Sequence, residues 1–191
     1  QGFPIVNVEF KKDSIRLNQE QFNNKEANVL WNIPLNINKD GILINLVMKE
    51  KILEIHNFSS KWFKINYDQT GFYIVNYDEK SLDKIKKHIK DKKLGVLDRA
   101  GIINDLFILA QYGYVKLNKP LTFINNYLLE DEYTVLSIII DKLNLIKSTW
   151  YDNEIVINKI NEILGNLIMK SLEDLDYIPK LDEDHNISLK R

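Results

Sequence analysis

The residue types that carry hydrolytic or metal chemistry are few and scattered in this sequence. The chain of 191 residues has no cysteine and only three histidines, His56, His88 and His185. No two histidines stand at the spacing of a metal-binding motif such as HExxH, and each falls in a different predicted element. The seven glycines form no phosphate-binding loop, and no GxSxG nucleophile elbow occurs. We therefore expect no catalytic residue, no metal ligand and no cofactor site within this chain.

Two kinds of charged cluster remain. The carboxylates of 130–132 and 182–184 lie in predicted loops, where solvent keeps carboxyl groups ordinarily acidic, so we interpret both as solvated acidic turns. The lysines of 84–93 form the polar face of a predicted helix. They have no interleaved aromatic residues, and the net charge of −1 provides no general attraction for nucleic acid or a membrane surface. We expect neither as a partner.

The elements that would position any site begin with short strands. Ile5–Phe10 and Ile15–Leu17 flank a polar turn and predict a hairpin. Trp62–Tyr67 and Phe72–Tyr77 alternate around a second polar turn and predict another hairpin. Pro34 suggests that its strand lies at an edge or ends there. With further β-branched runs at 42–47 and 52–55, the pattern predicts a small β-sandwich over residues 1–79.

Near residue 80 the apolar spacing changes from two residues to between three and four, which predicts helices for the rest of the chain. Ser81 is placed to cap the first helix, and Asp98 to open the second. Gly113 suits the position that ends the second helix, and Pro120 suits the first turn of the third.

Two longer apolar stripes follow, at 136–146 and at 157–168, and they predict a fourth and a fifth helix, the fifth running to about Leu175. Pro179 falls in a predicted polar loop, and 187–191 has the pattern of a helix that is cut short. Residues 80–191 are thus expected to form antiparallel helical hairpins stacked like a solenoid. Because the last stripe lacks a helix to cover it, we expect an incomplete helical domain, and self-association through the exposed face.

Six short segments, taken in order along the chain, carry a resemblance: Gln1–Val8, Leu17–Phe22, Trp31–Leu35, Gly71–Asp78, Asp98–Asp105 and Glu183–Arg191. These blocks resemble the zinc aminopeptidases of the aminopeptidase N and puromycin-sensitive aminopeptidase type. The matching family segments are the opening of the domain after the catalytic domain, then LTQERF, W-x-I-P-L, GFYRVNYD, DRAGLIDD and E-x-H…LLR. One departure is clear, since Ile74 stands where the family has arginine. The resemblance covers the whole chain.

The resemblance implies a β-sandwich third domain over 1–79 and the start of a helical fourth domain over 80–191. It implies that the zinc ligands, the catalytic glutamate, the oxyanion tyrosine and the GxMxN loop all precede Gln1. The partners implied are an upstream catalytic domain in the same chain and, for the whole enzyme, a peptide substrate. The chain would then be a non-catalytic part of an enzyme that removes N-terminal residues from peptides, supplying scaffold and a wall of the substrate cavity.

The motif residues are expected to do structural work: Trp31, Pro34, Gly71, Tyr73, Tyr77, Asp98 and Arg99. Trp31 and Phe72 are expected as core aromatics, and Tyr73 and Tyr77 share one face of their strand. Gly71 is expected to serve a turn. Asp98 is placed to cap its helix, and the Arg99 side chain can hold a carboxylate or a carbonyl.

A second hypothesis is a stand-alone helical module that binds a protein partner, and a nucleic-acid binder is a third. An HExxH motif upstream in the gene would exclude the second. The absence of cysteine favours a reducing compartment, so we expect a cytoplasmic protein.

Overall fold

A computed structural model describes residues 2–24, 26–172 and 182–190. The predicted loop at Pro179, the predicted helix end near Leu175 and the terminal residues Gln1 and Arg191 of the outer motif blocks lie outside this part of the chain. The described part begins with seven strands: β1 (Pro4–Phe10), β2 (Ser14–Gln21), β3 (Ile33–Lys39), β4 (Ile42–Met48), β5 (Ile52–His56), β6 (Phe63–Ile65) and β7 (Ile74–Tyr77). Six helices follow: α1 (Glu79–Lys90), α2 (Val96–Gln111), α3 (Asn118–Phe123), α4 (Tyr133–Thr149), α5 (Glu154–Leu172) and α6 (His185–Lys190).

The strands form two sheets that share one core. One sheet has the order β5-β2-β1-β7 and the other the order β4-β3-β6. All pairs are antiparallel except β1 with β7, which run parallel. Alternate residues of each sheet, such as Leu17 and Val75 on one and Leu35 and Ile65 on the other, are buried in the same apolar cluster. The predicted β-sandwich is confirmed.

The second predicted hairpin is wrong, because β6 and β7 belong to different sheets. Between them the chain makes a 3-10 helix at Tyr67–Gln69, with Asn66 in the left-handed region at φ 57°. The Asn66 side chain donates to the Gly71 carbonyl at 3.0 Å and accepts the Gly71 N–H at 2.8 Å. This bend carries the chain from one sheet to the other. Alternation in sequence shows that one face of a strand is buried, but it does not identify the strand beside it.

The first helix begins earlier than predicted. Asp78, and not Ser81, is the N-cap of α1: its carboxylate accepts the Ser81 N–H at 2.9 Å and the Phe10 N–H of β1 at 2.9 Å. An aspartate has two oxygens and a charge that favours a helix N-terminus, so it can serve both donors. The cap therefore joins the end of β1 to the start of α1.

Two other predicted helix boundaries are confirmed. Gly113 follows the last residues of α2 with φ 75°, a conformation that favours glycine. Pro120 lies in the first turn of α3, where its missing N–H leaves no bond unmade.

Helix α2 is the central helix of the described part. It contacts the edge strand β7, the 3-10 helix at Tyr67–Gln69, and helices α3 and α4, while α4 in turn contacts α5 and α6. The apolar core runs without a break from both sheets through α1 and α2 into α4. The domain boundary at residues 79 and 80 stays a prediction. Among the described helices, none is long and apolar enough to cross a bilayer.

Candidate functional site: a buried polar junction

Helix α2 meets the sandwich through a buried ion pair. Lys64 of β6 is 1% exposed, and its Nζ lies 3.3 Å from Oδ1 of Asp98. The same Nζ donates to the carbonyls of Ile65 and Asn66 at 2.5 and 2.9 Å. Asp98 also accepts the Asp68 N–H at 2.9 Å, and its second oxygen is buried with no hydrogen-bond partner in the described part of the chain. Burial lowers the pKa of Lys64 and raises the pKa of Asp98, because both charges have lost water.

Asp98 is therefore not the cap of α2, which begins at Val96 after Gly95 with no side-chain cap bond. The carboxylate still lies in the first turn, where the helix dipole favours a negative charge. The sequence placed Asp98 near the start of a helix but predicted a capping role for it, and it did not show that a buried lysine faces it.

A second carboxylate of α2, Asp105, closes the edge of the other sheet. It accepts the Val75 N–H of edge strand β7 at 3.0 Å. Burial raises the pKa of Asp105 to about 7, while this hydrogen bond and the Lys64 charge act against the increase. An unpaired N–H on an edge strand is a liability, and here the helix satisfies it.

Tyr77 closes the edge of β6 in the same way. Its hydroxyl accepts the Ile65 N–H at 2.8 Å and donates to the Ile65 carbonyl at 3.2 Å. Tyr73 lies on the same strand face, as the alternation predicts, and both rings belong to the shared core. The Tyr73 hydroxyl is buried with no partner in the described residues, and burial raises the pKa of both tyrosines.

Arg99, which follows Asp98 in α2, binds a carboxylate in the helical part of the chain. Its Nε and one terminal nitrogen donate to the two oxygens of Glu130 at 2.7 and 2.9 Å, and the other terminal nitrogen donates to the Leu94 carbonyl at 2.5 Å. Tyr127 donates its hydroxyl to the Arg99 carbonyl at 2.8 Å. Both charged side chains are almost fully buried, at 4% and 2% exposure. This is the parallel two-bond geometry that suits arginine and carboxylate.

Glu130 corrects the interpretation of 130–132 as a solvated acidic turn. Glu130 is buried, and its Oε1 also accepts the N–H groups of Asp131 and Glu132. Asp131 fits the prediction better, since its side chain is 57% exposed and pairs with Lys92 at 2.6 Å. Three adjacent acidic residues look alike in sequence, and only the fold brings an arginine to one of them.

Two glycines permit close approaches at this junction. Gly71 is not in a left-handed conformation, but a Cβ there would overlap the Tyr73 ring, so glycine is required by contact and not by turn geometry. Gly101, inside α2, leaves room for the side chain of Gln69. The 3-10 segment can therefore lie directly on the helix.

The remaining motif residues lie elsewhere. Trp31 is half-buried against the core, and its backbone N–H and carbonyl are both held by the side chain of Gln19, at 2.9 and 3.0 Å. Pro34 is exposed near the start of β3. At this position β3 pairs with β4, and the segment of β3 that pairs with β6 begins further along the strand. Phe72 is 84% exposed, so its prediction as a core aromatic is wrong. The predicted strand started two residues too early, since β7 begins at Ile74.

The junction is built for positioning. Its charged side chains are buried, and many of their hydrogen bonds go to backbone groups. Within 2–24, 26–172 and 182–190, no group of three or more His, Asp or Glu side chains could hold a metal. His88 stacks on Trp62 with ring centres 4.6 Å apart. The residues described thus do not fit a zinc site.

An open cleft of about 650 Å³ lies between α1 and α3. Lys86, Lys116 and Lys119 line it, with Glu79 at one side. Lys119 is already engaged, since it pairs with Glu79 at 3.1 Å and donates to the Tyr77 carbonyl at 3.1 Å. The cleft carries no arrangement of nucleophile and base.

Comparisons with known proteins point to one family of enzymes, the aminopeptidases. The family model described as the ERAP1-like C-terminal domain matches residues 62–191. The chain is 29% identical to the alanine/arginine aminopeptidase of Saccharomyces cerevisiae and 28% identical to aminopeptidase M1-A of Oryza sativa, in alignments that cover 100% of this chain. It is also 25% identical to the tricorn protease-interacting factor F2 of Thermoplasma volcanium over 88% of its length. The chain spans only 23% of the yeast and rice proteins and 21% of the archaeal one.

Proposed function

Since the chain belongs to the ERAP1-like C-terminal domain family and to the C-terminal region of M1 aminopeptidases, we propose that it is a non-catalytic part of a zinc-dependent aminopeptidase that removes N-terminal residues from peptides. The observation that carries the proposal is the match of the whole chain to about a quarter of the length of named aminopeptidases. Zinc and the catalytic residues would belong to the rest of the longer protein.

Within that enzyme the chain would be scaffold. The polar junction supports this role, because α2 uses Asp98 and Asp105 to bind the edges of both sheets. Arg99 links the same helix to the segment before α4. A helix held on both sides transmits the position of the sandwich to the helices that follow it.

A wall of the substrate cavity is the second part of the proposal. Helices α2, α4 and α5 contact one another in succession, as stacked helices of a curved array do. Such a surface could limit access to an active site and hold the distal part of a peptide. A cytoplasmic location goes with this proposal, on the cysteine-free composition.

The test compares this chain with the product of the complete gene. We expect the purified chain to show no turnover of an aminoacyl-anilide and no stoichiometric zinc. The complete product should turn the same substrate over, and a chelator should abolish that activity. Chelator-sensitive turnover by the chain alone would overturn the proposal.

A stand-alone module that binds a protein partner is the second candidate. The observation in its favour is a group of exposed apolar side chains around α4 and α5: Leu145, Trp150, Tyr151 and Ile155. The same residues support the prediction of self-association. An upstream HExxH motif in the gene would exclude a stand-alone module, and a monomeric profile at high concentration would count against self-association.

A further inference from the structure

Five aromatic side chains meet at one surface of the sandwich, and together they define what we call the aromatic surface: Phe3, Phe22, Phe72, Tyr112 and Tyr114. Phe22 lies at its centre, stacked on Phe3 with ring centres 4.6 Å apart and edge-on to Tyr112 at 4.6 Å. Phe72 packs edge-on to Phe3 at 5.4 Å.

The aromatic surface is held in place by the fold beneath it. Phe3, Phe22 and Tyr114 pack on a small buried cluster of Ile5, Ile74 and Leu109, which lies apart from the main core. The Phe22 N–H donates to the Phe3 carbonyl at 2.9 Å. The Tyr114 hydroxyl accepts the Asn23 N–H at 2.7 Å. The rings are therefore ordered before any partner arrives, which lowers the entropy that binding must overcome.

Two rings of the aromatic surface remain in water. Phe72 is 84% exposed and Tyr112 is 47% exposed. A fully buried aromatic side chain removes about 150–250 Å² from water, so these two rings offer a modest apolar contact. Phe3 and Phe22 lie between them, and exposed aromatics on a rigid support are typical of the centre of an interface.

The position of the aromatic surface along the chain favours one occupant. Phe3 is the last residue before β1, so the chain enters β1 from within this surface. In the yeast and rice aminopeptidases, more than three quarters of the protein lies outside the matched segment. A globular part joined just before Gly2 would be held against these rings by the covalent connection, at high effective concentration.

We propose that the aromatic surface is the contact with the part of the longer aminopeptidase that precedes residue 2. The proposal rests on the proposed function, because that function provides the preceding part. Phe72 would insert into an apolar pocket of that part, and Tyr112 would cover its rim. The covalent attachment explains how a modest apolar area could suffice.

Phe72→Ser is the test variant, and Ile42→Ser is its matched control. Ile42 is 68% exposed at the start of β4, outside the aromatic surface and outside the apolar group around α4 and α5, so both changes remove a largely exposed apolar side chain. In the 191-residue chain alone we expect neither change to move the melting temperature by more than about 2 °C, because little buried area is lost. In the complete gene product, we expect Phe72→Ser to speed limited proteolysis between the two parts by about 5- to 30-fold, while Ile42→Ser has no effect.

Equal proteolysis of the two variants in the complete product would overturn the proposal. So would a concentration-dependent dimer of the chain alone that Phe72→Ser abolishes while the complete product is unaffected, since the surface would then join two copies. Chelator-sensitive turnover by the complete product reports on the proposed function separately. If the complete product shows no such turnover but the two variants still differ in their rate of proteolysis, the proposed enzyme function is rejected while the proposed contact stands.

Discussion

Asp98 and Arg99 are neighbours in α2, yet they form buried ion pairs in two different regions of the molecule. Asp98 faces the sandwich and meets Lys64 at 3.3 Å, with one of its oxygens lacking a partner in the described residues. Arg99 faces the helices and binds Glu130 through two short bonds of 2.7 and 2.9 Å. Its remaining terminal nitrogen also finds an acceptor, the carbonyl of Leu94.

The two pairs differ in how completely their hydrogen-bonding groups are satisfied. Buried charges lose the stabilisation of water, and only close, complete bonding compensates for that loss. The Arg99–Glu130 pair meets this condition. The Lys64–Asp98 pair does so only in part, and burial accordingly lowers the pKa of Lys64 and raises that of Asp98. We expect the Arg99–Glu130 pair to stabilise the fold more than the Lys64–Asp98 pair does, and the contribution of the Lys64–Asp98 pair to depend on pH.

The largest effect should come from Arg99→Met, which leaves Glu130 buried without its cation. We expect the free energy of unfolding to fall by about 3–5 kcal/mol, because removing one partner of a buried, doubly hydrogen-bonded ion pair is costly. Chemical denaturation of the purified chain measures it. Arg99→Lys is the control: it keeps the charge but not the two parallel bonds, and should recover only part of the loss. A loss for Arg99→Met smaller than that for Lys64→Met would reverse the comparison.

Lys64→Met should cost somewhat less, about 2–4 kcal/mol, because the Lys64–Asp98 contact is longer and less complete than the two bonds between Arg99 and Glu130. The pKa values of Asp98 and Asp105 should then rise further. A carboxyl group whose pKa is higher in the folded state than in the unfolded state stabilises the fold at low pH, and this contribution is lost as the pH rises. The free energy of unfolding of Lys64→Met should therefore be lower at about pH 8 than at about pH 5. Denaturation curves at both values would show it.

The double variant Lys64→Met/Asp98→Asn sharpens this result. Removing both charges together leaves one buried carboxylate, Asp105, in place of two. We expect it to be more stable than Lys64→Met alone, especially at high pH. A pH-independent loss for Lys64→Met would mean that packing of the lysine stem, and not its charge, matters at this position.

Asp105→Asn should produce a smaller effect whose sign depends on pH. The folded pKa of Asp105 is about 7 and the ordinary value is 3.8, so between these values the folded state binds a proton that the unfolded state has released. The contribution of Asp105 to stability therefore falls as pH rises from about 4 to about 7. An asparagine can still accept the Val75 N–H and does not titrate.

As the pH rises from about 5 to about 8, the free energy of unfolding of Asp105→Asn should increase by about 1–3 kcal/mol relative to that of the unchanged chain. Thermal or chemical denaturation across that range measures the difference. Parallel pH profiles for the two proteins would show that Asp105 is not the titrating group at the junction.

The smallest effect should come from Lys159→Gln, at an exposed pair on α5. Lys159 and Glu162 are 2.7 Å apart, shorter than Lys64 and Asp98, but their side chains are 63% and 58% exposed. Water already solvates both charges, so the loss should be no more than about 0.5 kcal/mol. A loss of the size expected for Lys64→Met would mean that distance, and not burial and completeness, ranks the ion pairs of this chain.

Much of the local structure could be predicted from sequence because it depends on near neighbours. The alternation around Tyr73 and Tyr77 predicted that they share one face, and the change of period near residue 80 predicted that helices begin close to that position. Gly113 and Pro120 marked helix boundaries through their own backbone preferences. Arg99 was expected to hold a carboxylate or a carbonyl, and it binds both the Glu130 carboxylate and the Leu94 carbonyl.

What failed depended on residues distant in sequence. Strands β6 and β7 have the alternation of a hairpin, but they pair with the distant strands β3 and β1 and not with each other. Phe72 is an aromatic residue of the type found in cores, but it lies two positions before β7 begins and is exposed. The sequence by itself determined the order of strands and helices, because backbone preference and apolar spacing act over a few residues. Only the tertiary structure decided which of many similar charges are buried, since a lysine such as Lys64 acquires its chemistry from a helix more than thirty residues away.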